Sequence, residues 1–238
     1  MKKYLTYTLL CITISYISHA QENLSAGKDI DKISSPFRYL NEISFRGKNF
    51  LFDGNWVKAR LLTANNSIVS NDSFLYNVDK IEQRLLFTSD FRSVYEIDRR
   101  EFKAVLFYFR DSAYVYKHIN FINNKDLFEV IVNDNDKYSL YKVMRTKIVK
   151  GRFESISFSA PNMRSSDIYQ DIAEYYVFFP NKEYRKIHLL KKAAIIRLFK
   201  LEPDTDKVGE YLNMVGNKDV YAENDLIQLI HYLNNQML

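Results

Sequence analysis

Apolar and polar positions divide this chain into three stretches of different rhythm. Residues 4–17 are uncharged and largely apolar, with Lys2 and Lys3 before them and Ser18-His19-Ala20 after. From about Phe37 to Leu190 the rhythm is period two. Runs rich in Val, Ile, Tyr and Phe recur at short intervals between clusters of Asn, Asp and Ser, the signature of successive strands. After Leu190 the period becomes 3.6, the signature of amphipathic helices.

The middle stretch predicts a series of strands. Trp56–Thr63 runs up to the turn signal Asn65-Asn66. Ile68–Val78 and Ile81–Phe87 flank Asp79-Lys80, and Phe91–Asp98 and Phe102–Phe109 flank Arg99-Arg100. Ala113–Ile122 ends at Asn123-Asn124-Lys125-Asp126, which reads as a turn. Two hairpins stand out. Leu127–Val132 and Tyr138–Met144 are joined by Asn133–Asp136, residue types that tolerate the left-handed conformation of tight turns. Tyr175–Phe179 and Tyr184–Leu190 are joined by Pro180-Asn181-Lys182-Glu183, where proline pre-sets φ at the first corner. Between the hairpins, Gly151–Gln170 is Ser-rich and reads as a long loop.

The last stretch predicts three helices. Leu189, Ala193, Ile196 and Phe199 form one stripe, closed by Glu202-Pro203. Asp206 is the expected N-cap of the second helix, with Val208, Tyr211, Leu212 and Val215 as its apolar face and Gly216 as its stop. Asn224 or Asp225 is the expected cap of the third, whose stripe is Leu226, Leu229, Ile230 and Leu233. One-faced helices must bury their stripes on each other, on the sheet or on a partner. The expected fold class is therefore α+β. An antiparallel β-rich domain over 37–190 (a meander or sandwich, or barrel-like) is followed by a small helical segment over 191–238 packed on it.

The first stretch reads differently. A positive start, an apolar run shorter than the ~18–20 residues of a membrane span, and small residues at the −3 and −1 positions before Gln21 spell a signal peptide over 1–20. Residues 21–36 are polar and read as a mobile lead-in. Cleavage removes Cys11, the only cysteine, so the mature chain has neither disulfide nor thiol nucleophile. The residues before Cys11 make a poor lipid-attachment signal. Cleavage also lowers the formal charge of +5 by two lysines, leaving a balance too mild to argue for nucleic acid. No later segment has the length of a transmembrane span. The helical ending disfavours an outer-membrane barrel, which usually ends on a strand, so the periplasm is the expected address.

Candidate chemistry is sparse. Eighteen tyrosines and seventeen phenylalanines suit strands first and a binding surface second. Asp204-Thr205-Asp206-Lys207-Val208-Gly209 opens like a calcium loop, but Val208 and Val215 stand where oxygen ligands belong. His118, His188 and His231 have no metal-type spacing. Glu96 and Asp98 would share one strand face as an acid–base pair, yet Arg99 and Arg100 make a solvated charged face the better reading. No catalytic, cofactor-binding or metal-binding residue is assigned, and no cofactor is expected.

Several segments carry a resemblance. They are Phe50-Leu51-Phe52-Asp53-Gly54-Asn55-Trp56, Phe128–Val132 turning into Tyr138–Lys142, Tyr175-Tyr176-Val177 through Leu189–Lys192, and Asp225-Leu226-Ile227 through Tyr232–Asn234. Together they resemble a loosely defined class of exported proteins of unknown function from Bacteroidetes-type bacteria. The resemblance implies architecture and compartment, and no mechanism. The expected function is that of a non-catalytic envelope protein binding a protein or a cell-surface polymer such as a polysaccharide. A carboxylate-based periplasmic hydrolase and a carrier of an apolar ligand are the competing classes.

Overall fold

The structure is a computed structural model that describes residues 37–40, 49–134, 136–149, 168–216 and 218–236. Its strands are β1 (Phe37–Leu40), β2 (Lys58–Thr63), β3 (Ile68–Ser70), β4 (Leu75–Asp79), β5 (Arg84–Thr88) and β6 (Val94–Ile97). They continue as β7 (Phe102–Phe109), β8 (Ser112–Ile119), β9 (Asn123–Val132), β10 (Ser139–Val149), β11 (Ile168–Phe178) and β12 (Tyr184–Ile187). Three helices follow: α1 (Lys192–Phe199), α2 (Thr205–Met214) and α3 (Glu223–Asn235). The fold is α+β. An eight-stranded antiparallel sheet in the order β12-β11-β10-β9-β8-β7-β2-β3 lies beside a four-stranded antiparallel sheet in the order β1-β6-β5-β4. The larger sheet is open, with β3 and β12 at its edges.

One row of directly opposed residues crosses all eight strands and therefore points to one face. It runs Val69, Leu61, Val105, Tyr116, Glu129, Lys142, Tyr175, Ile187. At one end of this face Ala59, Leu61, Val105 and Phe107 pack with Tyr76, Val78, Leu85 and Phe87 of the smaller sheet. At the other end Leu140, Val177 and Ile187 pack with Ile195, Leu198, Phe199, Leu212 and Leu229 of the helices. The same face thus has two covers, and the polar middle of the row falls between the two cores. We call it the inner face.

The helix faces follow the 3.6 period. Val208, Tyr211 and Leu212 of α2 are buried, as are Leu226, Leu229, Ile230 and Leu233 of α3. Each fully buried aliphatic side chain contributes about 1.5–3 kcal/mol. Gly216 ends α2 at φ +92°, a conformation that a side chain would strain. The α1 stripe is rotated from expectation: Ile195, Leu198 and Phe199 are buried, while Leu189 lies before the helix and is 59% exposed. Asp204, not Asp206, occupies the N-cap position of α2. Ala222 does so for α3, where Asp225 accepts the Ala222 N–H at 2.8 Å and so satisfies a first-turn donor from inside the helix.

Three strand expectations change. Ile68–Val78 is two strands in different sheets, broken where Asn71 closes a turn by accepting the Ser73 N–H at 2.8 Å. Asn123–Asp126 is not the β8–β9 turn, which falls at Asn120–Ile122. It lies within β9, where the register shifts between His118↔Leu127 and Ile119↔Asn123. The chain absorbs its extra residues as a bulge, in which Asp126 is buried at 3% exposure. Finally, Ile168–Gln170 of the expected loop belongs to β11. The rest of that loop, the signal segment and the lead-in lie outside the described residues.

Candidate functional site

The inner-face row changes chemistry halfway across the sheet. Tyr116, Glu129, Lys142 and Tyr175 stand side by side on β8, β9, β10 and β11, and Glu223 in the first turn of α3 closes over them. The Tyr116 hydroxyl donates to Glu129 Oε2 at 3.3 Å. Lys142 Nζ lies 3.6 Å from Glu129 Oε2 and 2.8 Å from Glu223 Oε2. The Tyr175 hydroxyl donates to Glu223 Oε2 at 2.7 Å. A lysine between two carboxylates, with a phenol at each end, pairs every charge in the row.

The protonation states follow from burial and neighbours. Burial holds the Glu129 carboxyl above its ordinary range against the pull of Lys142, with Glu223 adding to the rise. Burial alone would lower the Lys142 ammonium, but Glu129 and Glu223 keep it above the ordinary lysine value. Burial, then the adjacent carboxylates, raise the Tyr116 and Tyr175 phenols, which stay protonated donors. A pair of carboxylates this close invites an acid–base reading. Lys142 fills the space between them, where a substrate atom would have to sit. Through Glu223 the row pins the last helix to the sheet.

A second polar group fills the gap where β9 and β10 part. The turn between β4 and β5 inserts Gln83, held at φ +56°. Its side-chain amide donates to Met144 O at 2.8 Å and accepts from the Leu127 N–H at 3.4 Å, standing in for missing ladder bonds. Beside it the buried Lys80 ammonium pairs with Asp171 at 2.6 Å. The bulge aims Asp126 at the Arg145 guanidinium, which also pairs with Glu174 at 3.2 Å, and Glu174 in turn holds Lys186 at 2.8 Å. Burial would raise Glu174, but Lys186 and Arg145 outweigh it and bring the carboxyl below its ordinary range.

The opposite, outer face of the larger sheet carries a different mixture. Phe121, 54% exposed, lies 4.9 Å from Phe178 and 6.1 Å from Tyr184 between ring centroids, and Tyr184 is itself 39% exposed. Cations lie over tyrosine rings at three places: Arg60 over Tyr108 at 5.6 Å, Lys117 over Tyr141 at 5.1 Å and Lys186 over Tyr176 at 5.5 Å. Neither core that carries the smaller sheet and the helices includes a side chain of this face of β2 or β8.

The residues singled out in the sequence fall elsewhere. Glu96 and Asp98 do not share a strand face, because β6 ends at Ile97. Asp98 accepts from the Arg100 N–H and guanidinium in a turn, and Glu96 faces Arg84 at 3.7 Å. Asp204 accepts the Tyr138 hydroxyl at 2.9 Å and pairs with Lys207, while Val208 is fully buried, so the acidic run builds the start of α2. His118 Nδ1 meets Asp126 O at 2.9 Å and its ring lies 5.1 Å from Phe102, while burial lowers its pKa. His188 and His231 are exposed. Among the described residues no cluster of three metal-ligating side chains forms, and no helix is long and apolar enough to cross a membrane.

The sequence reading missed Glu129 and Lys142. Their signal was present: each is one charge inside an apolar strand run, the two signs are opposite, and one hairpin joins them. Comparison with protein-family models, with curated proteins and with solved structures yields no match.

Proposed function

We propose that this protein is an exported, non-catalytic binding module that takes a protein or a cell-surface polymer against the outer face of its larger sheet. One observation carries the reading. The outer face presents Phe121, Tyr184, Tyr108 and Val115 at 37–54% exposure, with Arg60 and Lys117 over tyrosine rings, beside a small core of Phe128, Tyr141, Val143 and Tyr176 on the same face. Clustered exposed aromatics beside cations are what recognition surfaces carry. Export follows from the signal-type first twenty residues, and the mature protein is expected to begin at Gln21. The test is crosslinking in the native envelope with the wild type and with a Phe121→Ala/Tyr184→Ala variant. A reproducible partner, protein or glycan, captured by the wild type and lost by the variant is the expected result. No reproducible partner, or equal capture by both, overturns the reading.

A further inference from the structure

On the outer face of β2, β7 and β8 the side chains form a shelf. Arg60 opposes Leu106, and Leu106 opposes Val115, so three strands supply a floor about 10 Å across at ~4.8 Å per strand. Tyr108 and Val115 are 37% and 38% exposed on it. Arg60 lies over Tyr108 at one side, and Lys117 lies over Tyr141 at the other while donating to Asn133 Oδ1 at 3.3 Å. Neither Arg60 nor Lys117 has a carboxylate partner among the described residues, whereas Lys80, Arg84, Lys142, Arg145, Arg185 and Lys186 all do. Burial pulls the Lys117 ammonium down with no carboxylate opposing it. Among the described residues neither shelf cation is neutralised by a carboxylate, and each lies over a tyrosine ring.

The ligand must supply anions and also cover an apolar floor. An extended peptide gains its affinity by adding to a sheet edge through backbone hydrogen bonds. Here β2, β7 and β8 are each flanked on both sides, so their backbone groups are already committed to the ladder. Only rings, aliphatic groups and cations are on offer. A polymer whose units join an apolar ring face to a negative group matches that offer.

We propose that the shelf binds an acidic polysaccharide, with sugar faces on Tyr108, Leu106 and Val115 and the acidic groups on Arg60 and Lys117. This rests on the binding-module reading and narrows it to one ligand class. The test is calorimetric titration of the mature protein with polygalacturonate at low salt. Dextran, polyglutamate, vesicles of mixed neutral and anionic phospholipid, and a thymidine oligonucleotide serve as comparison ligands. Polygalacturonate is expected to bind and dextran to bind far more weakly. Arg60→Gln/Lys117→Gln is expected to weaken binding at least about tenfold, since a hydrogen bond to a charged group contributes ~1.5–3 kcal/mol. Tyr108→Ala is expected to weaken polygalacturonate binding as well, with an unchanged urea midpoint showing that the variant is folded. Absence of polygalacturonate binding, or equal binding by the double variant, overturns the assignment. So does binding of polyglutamate, vesicles or the oligonucleotide as tight as that of polygalacturonate. If envelope capture still depends on Phe121 and Tyr184 while polygalacturonate fails, the module reading stands and the polysaccharide falls.

Discussion

The inner-face row and the outer face of β2, β7 and β8 use charge in opposite ways. On the inner face Tyr116, Glu129, Lys142, Tyr175 and Glu223 are pressed between covers, and every charge has a partner within 3.6 Å. On the outer face Arg60 and Lys117 rest on tyrosine rings with no carboxylate beside them among the described residues. A buried charge must be paired to be tolerated at all, so the inner face spends its ions on docking α3. A half-exposed cation over a ring is stable without a counter-ion and remains available to something outside the chain. On the function proposed above, the difference separates scaffold from recognition surface on a single set of strands.

The largest effect comes from the inner face. Leu229→Ala empties a fully buried site on α3 and is expected to cost about 2–5 kcal/mol in urea unfolding. The matching outer-face change, Val115→Ala, is expected to cost ~0.5 kcal/mol or less. Comparable losses at the two positions would mean that the outer face at Val115 is also core, as it is at Phe128 and Val143.

An effect of the same size tests the pin. Lys142→Met leaves Glu129 buried without its cation and is expected to cost about 3–5 kcal/mol near neutral pH. Adding Glu129→Gln to that background is expected to restore most of the loss, because the charge that lacked a partner is gone. The pH dependence has a defined sign. The Glu129 carboxyl is raised in the folded chain. Its favourable contribution is therefore full below the ordinary carboxyl range and is lost as pH rises through the folded value. Without Lys142 that dependence should steepen. A Lys142→Met protein whose stability ignores pH between 4 and 8 (roughly the carboxyl range and above) would remove Glu129 from the account.

Much of this architecture was legible in the chain, and the exceptions have physical causes. Phe102–Phe109 is apolar at every position but Lys103 and is β7 to the residue. The stripe Leu226, Leu229, Ile230, Leu233 is buried as its spacing requires, and Gly216 ends α2 where only a residue free at positive φ fits. The bulge in β9 was hidden because Asn123–Asp126 has turn composition, and composition cannot tell a turn from extra residues absorbed inside a strand. The inner-face row was hidden for a deeper reason. Its members come from four strands and one helix, and the register that brings them level depends on that bulge and on the β9–β10 shift at Leu140/Tyr141. The outer-face cations were visible as residues, but which cations pair with carboxylates is decided only by the three-dimensional arrangement.

The central claim is that the outer face, and not the helical side, meets the ligand. It is tested most directly by placing a photo-crosslinking side chain at Val115 and, separately, at Leu201. Leu201 lies between α1 and α2 and is 83% exposed, so it is at least as accessible a site on the helical side. Irradiation in the native envelope is expected to give a discrete crosslinked species from position 115 and none from position 201. Crosslinks from position 201 alone, or equally from both, would contradict the division of the sheet into a scaffold face and a recognition face.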